Sequence, residues 1–129
     1  MRTIKFRAKS LESGEWVSGD LIRTPAHPSV KVSIIQDNVV IPVEESTIGE
    51  FTGLSDHKGR DVYEGDLVRI PETAFNAEII GDVRYVRDGF HVVSRRSGAS
   101  YGLDYVLSTS RHNDGLQFGE VIGNIHQES

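Results

Sequence analysis

Along most of this chain apolar and polar residues alternate with the period of two that marks β-strands, and no long segment carries a helical period. Ile4, Phe6 and Ala8 alternate with Lys5, Arg7 and Lys9, which predicts a strand with one buried face and one basic face. A turn over 11–15 leads to a second strand over 16–23, and the two prolines of 24–29 mark a loop. Val30, Val32 and Ile34 resume the alternation. Asp37 and Asn38 tolerate positive φ and predict a hairpin turn, and Pro42 ends the following strand or holds it at an edge. Residues 44–50 fit a short helix by their leading acids or a strand by Thr47 and Ile48; the strand is preferred.

The second half reads in the same way. Leu67–Ile70 is a strand closed by Pro71, 72–77 is a loop, and 78–86 is a long strand kinked at Gly81. Asp88-Gly89 predicts a two-residue hairpin turn, with Tyr85 on the face of Ile79 and Val83 and, like Phe90, a candidate core residue. Residues 101–108 fit a strand or a short helix, and 109–115 a loop. The last strand, over 120–126, is apolar on both faces at Val121, Ile122 and Ile125, which predicts a central position. Short strands and glycine-rich turns predict a mainly β, antiparallel, barrel-like fold.

The segment "FTGLSDHKGRDVYEGDLVRI", residues 51–70, contains the densest turn chemistry. Gly53 and Gly59 suit left-handed turn positions. Tyr63-Glu64-Gly65-Asp66 reads as a tight turn at a strand entry, where glycine permits a sharp bend and the aspartate carboxylate accepts from nearby amides. The segment is therefore read mainly as a folding device.

Its first eighteen residues resemble the signature of the YopX family, small proteins of phages, prophages and mobile elements. "IKFRAKSLESGEWV" is similar to the family's N-terminal strand and turn. "EVIGNIH", with Gly123 and Asn124, is similar to its C-terminal strand, although His126 stands where the family has an aromatic residue and the family's short helical tail does not follow. The resemblance implies a β-rich fold, with a smaller N-terminal sublobe over 1–50 and an SH3-like barrel over 51–129, and self-assembly. It implies no activity and transfers no catalytic residue.

Composition narrows the function classes. Cysteine is absent, which removes disulfides and thiolate metal sites and suits a reducing, cytoplasmic setting. No apolar run is long enough to span a bilayer, and the start has no signal-peptide pattern, so no membrane role is expected. The net charge of −5 is unevenly spread. Arg2, Lys5, Arg7 and Lys9 open the chain without an acid, and Arg84, Arg87, Arg95 and Arg96 have only Asp88 between them. That leaves 6 of the 14 cations and 18 of the 19 acids for the rest.

Lys5, Arg7, Lys9, Arg84, Arg87, Arg95 and Arg96, with Trp16, are the candidate binding surface. Placed together, the two basic stretches would attract an anionic partner, with the acidic body of another copy preferred over nucleic acid. Other chemistry is sparse. Asp56, His57, Asp61, Glu64 and Asp66 cluster in sequence without calcium-loop spacing, and the histidines at 27, 57, 91, 112 and 126 without zinc spacing. Ser94, Ser97 and Ser100 have no nucleophile motif around them. The expectation is a non-enzymatic interaction or assembly module without a cofactor, working as a homo-oligomer. The alternatives are a nucleic-acid binder and an enzyme with an unmarked site of acids and histidine.

Overall fold

The computed structural model describes residues 4–23, 31–71, 78–108, 111–112, 115–116 and 119–126. The expected loops over 24–29 and 72–77, Val30, Arg2, His27 and parts of the 109–115 loop lie outside them. The chain divides into two compact units, Met1–Phe51 and Thr52–Ser129.

In the first unit β1 (Phe6–Lys9), β2 (Trp16–Arg23), β3 (Val32–Gln36), β4 (Val39–Pro42) and the start of β5 (Gly49–Ser55) form an antiparallel sheet in the order β4-β3-β2-β1-β5. Asp37 and Asn38, at φ 52° and 67°, make the expected hairpin turn, with the left-handed pair that matches strand twist. Ala8, Val32, Ile34 and Val43 are buried together with Phe6, Val17, Leu21 and Ile48 packed against them. Past β4 the chain returns to β1 through a bridge between Ser10 and Val43, with Leu11 donating to the Pro42 carbonyl (3.0 Å) and Glu44 to that of Lys9 (2.9 Å).

Two expectations change here. Ile4 is not on the buried face; it precedes β1 and is 64% exposed. The strand preferred over 44–50 begins only at Gly49, after a 3₁₀ turn at Glu45–Thr47. The Thr47 hydroxyl decides this: it donates to the Glu44 carbonyl (2.7 Å) and accepts from the Lys9 amide (2.9 Å), so a side chain closes the turn that β-branching alone opposes.

In the second unit the rest of β5 runs beside β6 (Asp61–Tyr63). A five-stranded antiparallel sheet of β7 (Asp66–Ile70), β8 (Ile79–Val86), β9 (Gly89–Ser94), β10 (Ser100–Gly102) and β13 (Glu120–Asn124) has the order β10-β9-β8-β7-β13. A helix α1 (Leu103–Ser108) follows β10, and a two-stranded pair, β11 (Arg111–His112) and β12 (Gly115–Leu116), precedes β13. Residues 101–108 are thus strand first and helix after. Leu103, Val106 and Leu107 recur at helical spacing and are buried with Val62, Val68, Ile70, Val83 and Val92.

The fold is mainly β with antiparallel sheets, as the alternation predicts, but the strand order leaves β10 and β13 at two ends rather than closing a barrel. The final strand is accordingly an edge and not central. Its register shifts between Val121 and Gly123, and the bulged Ile122 is 46% exposed. The hairpin expected at Asp88-Gly89 turns at Arg87-Asp88 instead, with Gly89 paired to Val86 and Arg87 at φ 54°. The core sets that register: it places buried Val83 opposite buried Val92, whereas a turn at Asp88-Gly89 would set Val83 against Ser94. Tyr85 is not core. The hairpin extends past the Val83–Val92 pair, leaving Tyr85 53% exposed, edge-on to the partly buried Phe90 with ring centroids 5.1 Å apart. Gly81 marks no bulge, since β8 pairs in unbroken register on both sides. Its role is close approach: a Cβ there would lie 2.4 Å from the Val93 carbonyl oxygen.

Candidate functional site

The signature segment is organised by two buried aspartates. Asp56 opens the turn after β5 with its side chain fully buried. Its Oδ1 accepts from the amides of Lys58 and Arg60, both at 3.0 Å, and its Oδ2 accepts from Arg60 Nε at 3.1 Å and from the Val121 amide at 3.0 Å. Burial pushes this carboxyl up, but the Val121, Arg60 and Lys58 amides and the Arg60 charge outweigh it and hold it below the ordinary carboxylate range. Asp66 accepts from the Tyr63 amide at 2.8 Å across a turn in which Gly65 sits at φ 89° and its carbonyl accepts from Ile125 at 2.8 Å. Gly53 and Gly59 also take positive φ, 87° and 82°. Gly123 follows the bulge, and Asn124 pairs with Asp66 and accepts from the His126 amide. The segment over 51–70 and the last strand are therefore joined through Asp56, through Gly65 and through the Asp66–Asn124 pairing, and the motif residues they share hold the fold.

Glu120 gathers the neighbouring cations. Arg69 binds one carboxylate oxygen, and Lys58 (3.1 Å) and Arg60 (3.6 Å) the other, while Arg69 also reaches Glu78 at 3.5 Å. The Arg69 hydrogen bond is the main reason the Glu120 carboxyl is held below its usual range, with Lys58 adding to it. Arg69 is raised reciprocally. Sequence reading overlooked Arg69 and Glu120, which are 51 residues apart; the only sequence signal is their place at the ends of facing strands.

The basic residues of the first unit meet on one face. Lys5 Nζ stands 4.7 Å from the centre of the Phe51 ring, the Arg7 guanidinium 4.7 Å from that of Trp16, and Lys9 Nζ 5.6 Å from that same ring. The pairing explains the grouping: β1 places Lys9 opposite Trp16, and Phe51 donates from its amide to the Lys5 carbonyl at 2.9 Å. The three cations are half-buried and stacked, each attracted to a ring quadrupole at roughly 0.5–1 kcal/mol for a partly exposed pair. Phe51 was not among the expected surface residues.

The remaining candidates are separated. Arg84 is exposed but held by Asp82 through its Nε (2.7 Å) and Nη2 (3.2 Å). Arg87 occupies the hairpin turn, and Arg95 and Arg96 the turn between β9 and β10. A shallow depression contains Asp88, His91 and Asp104 beside Phe90 and Leu103, with His91 Nδ1 3.1 Å from the Gly89 carbonyl oxygen. Among the described residues no group of three or more histidines and acids is placed to hold a metal ion, and no helix is long and apolar enough to cross a membrane.

The model of the family described as YopX protein matches residues 5–129. The crystal structure of protein EF1440 from Enterococcus faecalis is similar at 18% sequence identity, over 98% of this chain and 95% of that one, with a TM-score of 0.55. No curated protein matches. The structural likeness concerns the fold alone.

Proposed function

The chain belongs to the YopX family, and from that premise we propose that it works as a non-enzymatic interaction or assembly module whose first partner is a second copy of itself. The reading is supported by the β1 face, where Lys5, Arg7 and Lys9 are mounted over Phe51 and Trp16. Rings beneath fixed cations make a partly apolar, positive surface in which Trp16, Phe51 and Arg7 are of the types enriched at protein interfaces. Outside its two basic stretches the chain carries 18 of its 19 acids, so its own body is complementary to this face. That acidity also opposes approach to a phosphate backbone, which ranks nucleic acid second. The cysteine-free composition suits a reducing cytoplasm, and the family resemblance suits a phage or prophage origin.

Light scattering across concentration and salt tests the reading. The wild type is expected to self-associate and to dissociate as salt screens the contact. Arg7→Glu should dissociate at a several-fold higher protein concentration, and Arg84→Glu, whose charge Asp82 already holds, should match the wild type. A monomer at every concentration, or an oligomer indifferent to Arg7→Glu, overturns the proposal. Sub-micromolar binding of random-sequence DNA that falls steeply with salt would promote the nucleic-acid reading instead.

A further inference from the structure

The second unit carries another depression, at the end of its sheet away from the Arg87-Asp88 turn, where β8 begins, β9 ends and β10 starts. Its volume is about 360 Å³, and it is lined by Ile79, Ile80 and Tyr101, by Ser94 to Ser97, and by Glu78. That size lies in the lower part of the roughly 300–1,000 Å³ typical of small-ligand sites. The walls are mainly apolar. Ile80 is among the large apolar side chains left exposed.

The turn that carries the arginines is pinned. Arg95 donates from its amide to the Ile80 carbonyl (3.0 Å), Gly98 to that of Ser94 (2.9 Å), and the Ser94 hydroxyl oxygen accepts from the amides of Arg96 and Ser97, both at 3.3 Å. Its amides are therefore occupied, and recognition must come from side chains. The guanidinium groups of Arg95 and Arg96 are exposed and make no hydrogen bond or ion pair among the described residues. The hydroxyls of Ser94 and Ser97 accept from amides and keep their protons to donate. Glu78, the one carboxylate on the wall, is drawn to Arg69 at 3.5 Å.

We infer that this depression binds a nucleotide unit, with its phosphate at Arg95 and Arg96 and its base against Tyr101 and the two isoleucines. Two planar, always-charged forks with hydroxyl donors suit the several acceptor oxygens of a phosphate. The ring and the apolar floor suit a flat base, whose stacking does not depend on its identity. A bare anion would leave that floor unused, and an apolar ligand would leave two arginines facing it. The unit can come from a free mononucleotide or from a residue of a single strand; the chemistry at the site is shared. The site lies within the second unit, and the proposed assembly face within the first.

Amide spectra of the ¹⁵N-labelled full chain, titrated with deoxycytidine monophosphate and with a short oligodeoxycytidylate, provide the test. Shifts are expected at Arg95–Ser97 and Tyr101, with a dissociation constant for the strand of about 10–100 μM near physiological salt, inside the range of sequence-independent binding. Shifts with both ligands identify a free-nucleotide site, and shifts with the strand alone identify a strand site; either supports the inference. The double variant R95A/R96A should weaken strand binding about tenfold and reduce the salt slope by about 1.4, two contacts at roughly 0.7 each. Tyr101→Leu should weaken it about fivefold without changing the slope, and Arg87→Ala, at the far turn, should leave it unchanged. The inference is overturned if neither ligand shifts these amides or if R95A/R96A binds as the wild type does. Equal competition by inorganic phosphate or by an acidic peptide also overturns it.

Discussion

In the first unit Lys5, Arg7 and Lys9 stand over the rings of Phe51 and Trp16, whereas in the second Lys58, Arg60 and Arg69 converge on the carboxylates of Glu120, Asp56 and Glu78. Both arrangements fix cations on a small β-sheet, but they respond to different conditions. A ring does not titrate, so a cation's contact with it persists through the acid range. A carboxylate cancels the cation's charge locally and does so only while it is ionised. The two units of one chain thus fix the same residue types in different ways: the second ties its cations to carboxylates, and the first seats them against rings.

The sharpest way to break the comparison is at Asp56. Asp56→Ala removes a buried carboxylate that satisfies three backbone amides and one guanidinium. A loss of about 2–4 kcal/mol is expected in denaturant unfolding, because three amides lose their acceptor at roughly 1 kcal/mol each and the Arg60 charge loses its partner. Hydrogen exchange should show protection lost in residues 52–126 well before residues 4–51. Equal loss in both units would show that Asp56 does not act locally.

Acid should produce a smaller version of the same effect. Asp56 and Glu120 are both held below their unfolded values, so their stabilisation is complete above the ordinary carboxylate range, about pH 3.9–4.3, and is lost as pH falls through the lower folded values. Amides of Lys58, Arg60 and Val121 should therefore lose protection on acidification below about pH 4, while the ring contacts of Trp16 persist. Tryptophan fluorescence changing before those amides open would reverse the assignment.

Gly65→Val tests the turn that joins the signature segment to the last strand. Its Cβ would find only ordinary contacts, the nearest being Ile125 Cγ1 at 3.6 Å, so the cost comes from the backbone. A β-branched residue at φ 89° should destabilise by about 1–3 kcal/mol. Coincident thermal melts of variant and wild type would show that the turn relaxes. The smallest expected effect sharpens the other side of the comparison. Arg7→Gln removes the cation from the Trp16 ring, a contact of about 0.5–1 kcal/mol at a partly exposed site, and should weaken self-association measurably. A large stability loss without any change in association would make the first unit's cations structural as well.

The sequence by itself determined what depends on neighbouring residues. Alternation gives the strands, Asp37-Asn38 gives a turn because both tolerate positive φ, and Gly65-Asp66 gives a capped strand entry. The tertiary structure decided everything that depends on which strands meet. The hairpin turn moved to Arg87-Asp88 because Val83 and Val92 must face each other in the core, a constraint that outweighs the local preference of Asp88-Gly89. The last strand reads as central from its apolar residues, but a bulge turns Ile122 outward at an edge. Basic character at Lys5, Arg7 and Lys9 was legible, with Trp16 as a companion, whereas Phe51 beside them and Glu120 between three cations were not. Charge is a property of a residue, but its environment is set by pairings between residues far apart in sequence, and a local pattern does not carry that information.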